Sequence, residues 1–258
     1  MKFLTCNAGY LLGYENVLGG YVPPPVTSLV GNDAVEQAAL KRLITVIERE
    51  EPDVVSLLEV DQGSHRTRTD GQLTAIQRRL AERGQPYAGT VETKYGAEPV
   101  VANLPFYRQL GNAVLTRSDR PTTSHALSAG RKRLVLETDL GSVRLFTVHL
   151  SLRARTRHRQ LEELADIVTS DSDGRPTIVA GDFNAFGGPS ELEVLTRRAG
   201  LECRTPGPTI PSRPLDGLFL DSHSLDLFCC SPSLSVERCA VIDEQVSDHR
   251  PVVLETAA

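Results

Sequence analysis

The sequence contains no tryptophan, and its aromatic residues amount to only 5% of the chain, so there is little material for stacking on nucleic-acid bases. Basic charge is not in excess either. Lys plus Arg number 28 against 33 Asp plus Glu, and the net charge of -5 disfavours broad, sequence-independent binding to a polyanion, though not a local basic collar. The five cysteines are odd in number and never fall in the C-x-x-C spacing of a zinc site, so they read as reduced, structural thiols. No segment approaches the roughly twenty apolar residues of a membrane span, and the opening Met1–Asn7 stretch is too short for a signal region. These absences predict a soluble, cytoplasmic protein. Repeats, low-complexity tails and Pro/Gly/Ser linkers are lacking too, so the whole of 1–258 reads as one domain, with 40% hydrophobic residues to build its core.

What is present is a series of apolar strands that end in polar, reactive side chains. Apolar patterning predicts strands at Lys2–Cys6, Val54–Leu58, Gly111–Thr116, Arg133–Asp139, Val143–Leu150, Thr177–Ala180, Leu215–Leu220, Leu234–Ala240 and Pro251–Leu254. Leu140-Gly141-Ser142 is expected to join two of them as a hairpin. Helical spacing predicts helices at about Ala34–Arg49, capped by Asn32 or Asp33 and stopped by Pro52, at Gly71–Arg83 and at Arg155–Thr169. Hairpins mixed with strand–helix units point to an α/β (α+β) fold, a layered sandwich with helices outside the sheets.

In α/β sheets, chemistry gathers beyond strand ends. Here the ends offer Asn7, Glu59, His149, Asp182 with Asn184, Asp216, and Asp248 with His249. One divalent cation and one phosphodiester handled together would call for such a set. A hard cation such as Mg2+ or Mn2+ takes oxygen ligands, and Glu59 is the best direct ligand, with Asn7 and Asp248 orienting the metal or its waters. Hydrolysis also needs an aligned water, a group to take its proton and donors for phosphoryl charge, tasks that suit Asp182, Asn184, His149 and His249. Each residue alone has a plainer explanation. Asn7 and Asp182 make turns readily, and a lone histidine ending an apolar strand is usually a core histidine.

Cys6-Asn7, Leu58-Glu59, Val148-His149-Leu150, Gly181-Asp182-Phe183-Asn184, Leu215-Asp216-Gly217-Leu218 and Ser247-Asp248-His249 occur in the order seen in the endonuclease/exonuclease/phosphatase superfamily, which the chain resembles over nearly its whole length. The resemblance implies a four-layered α/β/β/α sandwich of two packed mixed β-sheets, with the site at one end. It also implies Glu59 as metal ligand with Asn7 and Asp248 at the metal's edge, Asp182 as the water-activating base, and Asn184 on the attacked phosphate. His249, held by Asp216, would contact the phosphoryl oxygens, and His149 would stabilise charge on the far side. Whether Asp182 or an Asp216–His249 pair takes the proton stays open. Asn112, in Gly111-Asn112-Ala113, matches a stretch of some members and would touch phosphate, or would simply start a strand.

The tryptophan-lined pocket of abasic-site enzymes and the Trp-Cys-Asp-Arg signature of inositol 5-phosphatases have no counterpart here. The preferred substrate is therefore a small or lipid-derived phosphodiester. The alternatives are a DNA or RNA nuclease and a catalytically inactive binding module of the same fold. Arg153, Arg155, Arg157, His158 and Arg159, together with Arg66, Arg68 and Arg131-Lys132-Arg133, form either an anion collar or a solvated face balanced by Glu162, Glu163 and Asp166. The Tyr- and Pro-rich stretch after Gly9 forms either an apolar lip over the site or a cover on the sheet edge.

Overall fold

The computed structural model describes residues 1–12, 33–63, 71–93, 109–170, 173–210 and 222–257. Two six-stranded mixed sheets carry the architecture. The first has the order β11-β12-β1-β2-β4-β3, formed by Val236–Val241, Val252–Thr256, Lys2–Asn7, Val54–Asp61, Leu110–Thr116 and Ala88–Thr93. The second has the order β5-β6-β7-β8-β10-β9, formed by Thr122–Ala126, Leu134–Asp139, Arg144–His149, Thr177–Asp182, Asp226–Cys230 and Glu202–Arg204. Helices α1 (Asp33–Glu50) and α2 (Gln72–Glu82) cover the first sheet, and α3 (Ala154–Ser170) and α4 (Glu193–Ala199) cover the second. The expected α/β/β/α sandwich is the observed fold.

Three apolar clusters make the layers. Leu43, Ile44 and Ile47 of α1 pack on Leu4, Val55 and Leu57, while Leu161, Leu164 and Val168 of α3 pack on Phe146, Val148 and Val179. Between the sheets lie Phe3, Val54, Val114, Leu145, Ile178, Phe228, Val252 and Leu254. Side chains alternate along a strand with a period of two, so each central strand feeds one apolar set to its helices and another to the facing sheet, and reads as almost continuously hydrophobic. The inward set changes character along its length. Phe3 is followed by Thr5 and Asn7, Val54 by Ser56, Leu145 by Thr147 and His149, and Ile178 by Ala180 and Asp182. Ser56 Oγ and Thr147 Oγ1 hydrogen-bond across the two sheets at 2.7 Å, midway along this gradient. At its polar end the functional groups meet.

The predicted helices stand within a few residues of their expected ends. α1 stops where Glu51 turns to φ 47 ahead of Pro52. β6 and β7 pair antiparallel as the expected hairpin. The strand expected at Leu215–Leu220 lies outside the described residues, whereas β3, β5, β9 and β10 were not expected. Edge strands such as β5 (ThrThrSerHisAla) carry too few apolar residues to stand out from loop.

The expectation of reduced thiols is corrected. Cys203 and Cys229 face each other across β9 and β10 and are joined by a disulfide, with a Cα–Cα distance of 3.9 Å. The pair is created by strand register, 26 residues apart in sequence, and no local spacing announces it. The remaining cysteines fit the inert reading: burial pushes the thiols of Cys6, Cys230 and Cys239 upward, that of Cys230 to about 12. No described helix is long and apolar enough to cross a membrane.

Candidate active site

Strand register gathers the reactive groups at one end of the inter-sheet layer. β7 and β8 run parallel with His149 beside Asp182, and β10, antiparallel to β8, starts with Asp226 beside the same Asp182. In the other sheet β1 ends at Asn7 beside Leu58 of β2. The chain entering β12 brings Ser247, Asp248 and His249 to this end, where the Ser247 hydroxyl donates to the Asn7 carbonyl at 2.5 Å.

Local backbone devices aim these side chains. In β2 the register with β4 shifts between Leu57 and Val60, so Leu58 and Glu59 together oppose Asn112. Such a bulge turns a side chain out of the regular alternation. Glu59 sits at φ 54, an unfavourable region for a non-glycine residue, and its backbone N–H donates to Asn112 Oδ1 at 3.4 Å. Gly181 explains its own identity. A Cβ there would stand 1.9 Å from the Val148 carbonyl oxygen, at φ 141, so only glycine lets β8 lie against β7 and deliver Asp182. Asn184, at φ 51, donates its backbone N–H to Asp182 Oδ1 at 3.0 Å and its amide to the Leu150 carbonyl at 2.9 Å.

Asp182 is 1% exposed and central. Its Oδ2 accepts from Asn7 Nδ2 at 3.3 Å and lies 3.3 Å from His149 Nε2. Burial raises its pKa to about 6, against the lowering fields of His249 and Lys132 and the hydrogen bond from Asn184, and with the raising field of Asp226. His149, itself buried, has Nδ1 3.8 Å from Glu59 Oε1, and so stands between the two carboxylates. On the other side His249 Nδ1 meets Asp226 Oδ2 at 2.6 Å. Burial depresses the His249 pKa, but Asp226, by charge and by hydrogen bond, and then Asp182 and Asp248 outweigh it and raise the value to about 10. That shift favours the protonated ring at neutral pH. Asp248 is half-buried and acts on it by charge.

Among the described residues another carboxylate takes the role expected of Asp216. The carboxylate holding His249 is Asp226, while Asp216, expected in that role, lies outside the described residues. The chain has two Leu-Asp dipeptides ten positions apart, Leu215-Asp216-Gly217-Leu218 and Leu225-Asp226-Leu227-Phe228. The second opens β10, an uninterrupted apolar strand, and the first lies outside the described residues. Lys132 was seen only as part of a basic run. Its ammonium donates to His149 Nε2 and lies 3.8 Å from Glu59 Oε1. Arg157 leaves the collar: it is buried and bound to Glu191 and to the carbonyls of Ser151 and Leu152. Arg66 and Arg68, and the stretch 13–32, lie outside the described residues.

The donor set fits a hard divalent cation. Among the described residues, Glu59, Asp182, Asp226 and Asp248 gather here beside Lys132 and His249, and Asp226 Oδ1 is buried without a hydrogen-bond partner. Among the described residues, Asp182, Asp226 and His249 bring possible ligand atoms within 4.8 Å of one another. Glu59, one-fifth exposed, is the open carboxylate. Asn112 is 1% exposed, and its Nδ2 is a donor with no partner.

The fold and sequence have known counterparts. "Uncharacterized protein YbhP" of Escherichia coli strain K12 is 29% identical over 163 residues, and the match covers 56% of this chain and 62% of YbhP, so the chain spans less than two thirds of that relative's length. An endonuclease/exonuclease/phosphatase family protein from Leptotrichia buccalis superposes over 100% of both chains with a TM-score of 0.71 at 17% identity. The Bacteroides thetaiotaomicron mannosyl-6-phosphatase Bt3783 does so over 100% of both chains with 0.68 at 14%. Residues 16–249 match the endonuclease/exonuclease/phosphatase family, and this chain, with its paired sheets and buried acid–base groups at their common end, belongs to it.

Proposed function

We propose that residues 1–258 form one catalytic domain, a Mg2+- or Mn2+-dependent phosphoric ester hydrolase whose substrate is a small or lipid-derived phosphodiester. The observation that carries the reading is Asp182. It is a carboxylate buried beside His249, His149 and Asn7, with a pKa raised towards neutrality, as suits a group that must accept a proton near pH 7.

A divalent cation held by Glu59, with Asn7 and Asp248 at its edge, supplies positive charge that polarises the phosphoryl group. The protein's own groups do the rest. Asp182 takes the proton of the attacking water. Asp226 keeps His249 protonated, so that its Nε2–H donates to a phosphoryl oxygen as charge develops there. Asn112 Nδ2 offers a further donor, and the positive-φ turn at Asn184 fixes the Asp182 carboxylate. His149, standing between Asp182 and Glu59, would stabilise charge on the far side of the phosphoryl group.

Support for a small amphipathic substrate comes from the rim. Leu152, 62% exposed, and Phe186, 40% exposed, follow directly on His149 and on the Asp182–Asn184 turn. Phe186 meets His223 edge-on at 5.2 Å. An apolar group beside a phosphoester would cover this surface. The same exposed ring would also stack on a base, which favours a nuclease as the second reading.

The test is hydrolysis of bis-p-nitrophenyl phosphate, p-nitrophenyl phosphate, sphingomyelin and a short single-stranded DNA, with Mg2+, Mn2+ or EDTA, beside an Asp182→Ala control. Metal-dependent turnover that the control abolishes is the expected result, with the choline lipid or small diester preferred. DNA preferred, with binding that weakens steeply with salt, replaces this with the nuclease reading. A folded protein with no turnover on any of the four indicates a binding module.

A further inference from the structure

Lys132 stands outside every role given above. It sits in the turn of the β5–β6 hairpin, where the Leu127 backbone N–H donates to the Arg133 carbonyl at 2.8 Å. α3 grips this turn. The Gln160 amide, completely buried, donates to the carbonyls of Lys132 at 2.6 Å and Ala129 at 2.8 Å, and its oxygen accepts the Ser151 backbone N–H at 2.8 Å. Glu163 accepts the Ser128 backbone N–H at 2.6 Å on the same helix. A lysine on an unrestrained loop would move into water; this one is tethered by its own carbonyl to a buried amide. Its ammonium consequently rests among His149, Glu59 and, through charge, Asp182.

We propose that Lys132 is a built-in counter-cation of the site: it competes with the divalent metal for Glu59, and once the metal is in place its ammonium turns to a non-bridging phosphoryl oxygen of the substrate. This rests on the metal-dependent hydrolase reading. Two features support competition over simple pairing. The side chains of Lys132 and Glu59 are 22% and 21% exposed, so an ion from solution reaches the carboxylate without unfolding anything. A lysine is also a flexible point charge, able to leave one oxygen for another within the reach of its four-carbon stem. A metal beside Glu59 repels the ammonium by ordinary Coulomb force, and an incoming phosphoryl group is the anion nearest to receive it.

The test is isothermal titration of Mg2+ into the full chain as wild type, Lys132→Met and Lys132→Arg, with circular dichroism to confirm folding and KM measured on bis-p-nitrophenyl phosphate at saturating Mg2+. Removal of a half-buried competing charge is expected to tighten Mg2+ binding in Lys132→Met by about tenfold, between the limits for exposed and buried pairs. KM is expected to rise by a similar factor, with Lys132→Arg close to wild type in Mg2+ affinity. Equal or weaker Mg2+ binding by Lys132→Met overturns the competition, and an unchanged KM overturns the transfer to phosphate. If wild type itself binds no Mg2+, the hydrolase reading falls and takes this one with it, whereas wild-type binding with no difference in the variant removes only the role of Lys132.

Discussion

The two sheets contribute unlike halves to the candidate site. The second sheet supplies His149, Asp182 and Asp226, all buried to within 2% of full coverage, on strands in unbroken register. The first supplies the buried Asn7 and His249, and also the more open carboxylates: Glu59 on a bulge at positive φ, with its side chain one-fifth exposed, and Asp248 half-buried ahead of β12. A group that must change protonation benefits from a dry, fixed setting in which burial moves its pKa. A group that binds an exchangeable ion must remain open to water. On the proposed reading, the contrast between Asp182 and Glu59 is that between proton chemistry and ion capture.

The strongest break of that comparison sets Asp182→Asn against Glu59→Gln. Asp182→Asn is expected to lower kcat by about 10²–10⁴-fold, while the melting temperature in EDTA holds or rises because a buried carboxylate is removed. Glu59→Gln is expected to lose Mg2+ binding by titration, with stability in EDTA within about 0.5 kcal/mol of wild type. An Asp182→Asn protein that keeps its turnover would break the division.

Next in size is Asp226→Asn, which is expected to cost about 3–5 kcal/mol of stability at pH 7, since it strips a buried imidazolium of its partner. The pH dependence has a definite sign. A folded-state pKa of about 10 for His249, above its ordinary value of 6.5, gives stability fully present below pH 6.5 and lost as pH rises through 10. Urea melts of wild type across pH 6.5–10 should show that decline, and the variant should lack it. A parallel decline in both would place the titration elsewhere. The smallest effect is expected at Asn112→Ala: KM for bis-p-nitrophenyl phosphate raised about tenfold by loss of one donor to a charged group, with kcat nearly held. An unchanged KM would show that Asn112 Nδ2 meets no substrate.

The polar strand ends were legible because an aspartate or histidine closing an apolar run is conspicuous, and Gly181-Asp182-Phe183-Asn184 stood out for that reason. The layered sandwich followed from hairpins mixed with strand–helix units, and its two-sheet order from the family resemblance. Asp226 was not legible, because its significance depends on lying beside Asp182 in an antiparallel pairing that the sequence does not display, and a rival Leu-Asp lay ten residues earlier. Lys132 was hidden differently. Between two arginines it looks like solvated charge, and only the hairpin turn tied to Gln160 carries it inward. The Cys203–Cys229 pair belongs with Asp226, a consequence of register alone.

The hydroxyl bridge between Ser56 and Thr147 lies where grease gives way to chemistry, and it links strands of opposite sheets. On the proposed reading the two half-sites act together, so the spacing of the sheets sets how their groups meet. Phe3, Ile178 and Phe228 fill the layer between the sheets, and on the proposed reading their widths set how far Asp182 stands from Glu59. Since misplacement of reacting groups by about 1 Å costs on the order of a hundredfold in rate, the apolar filling between the sheets is held to the same tolerance as the groups it separates.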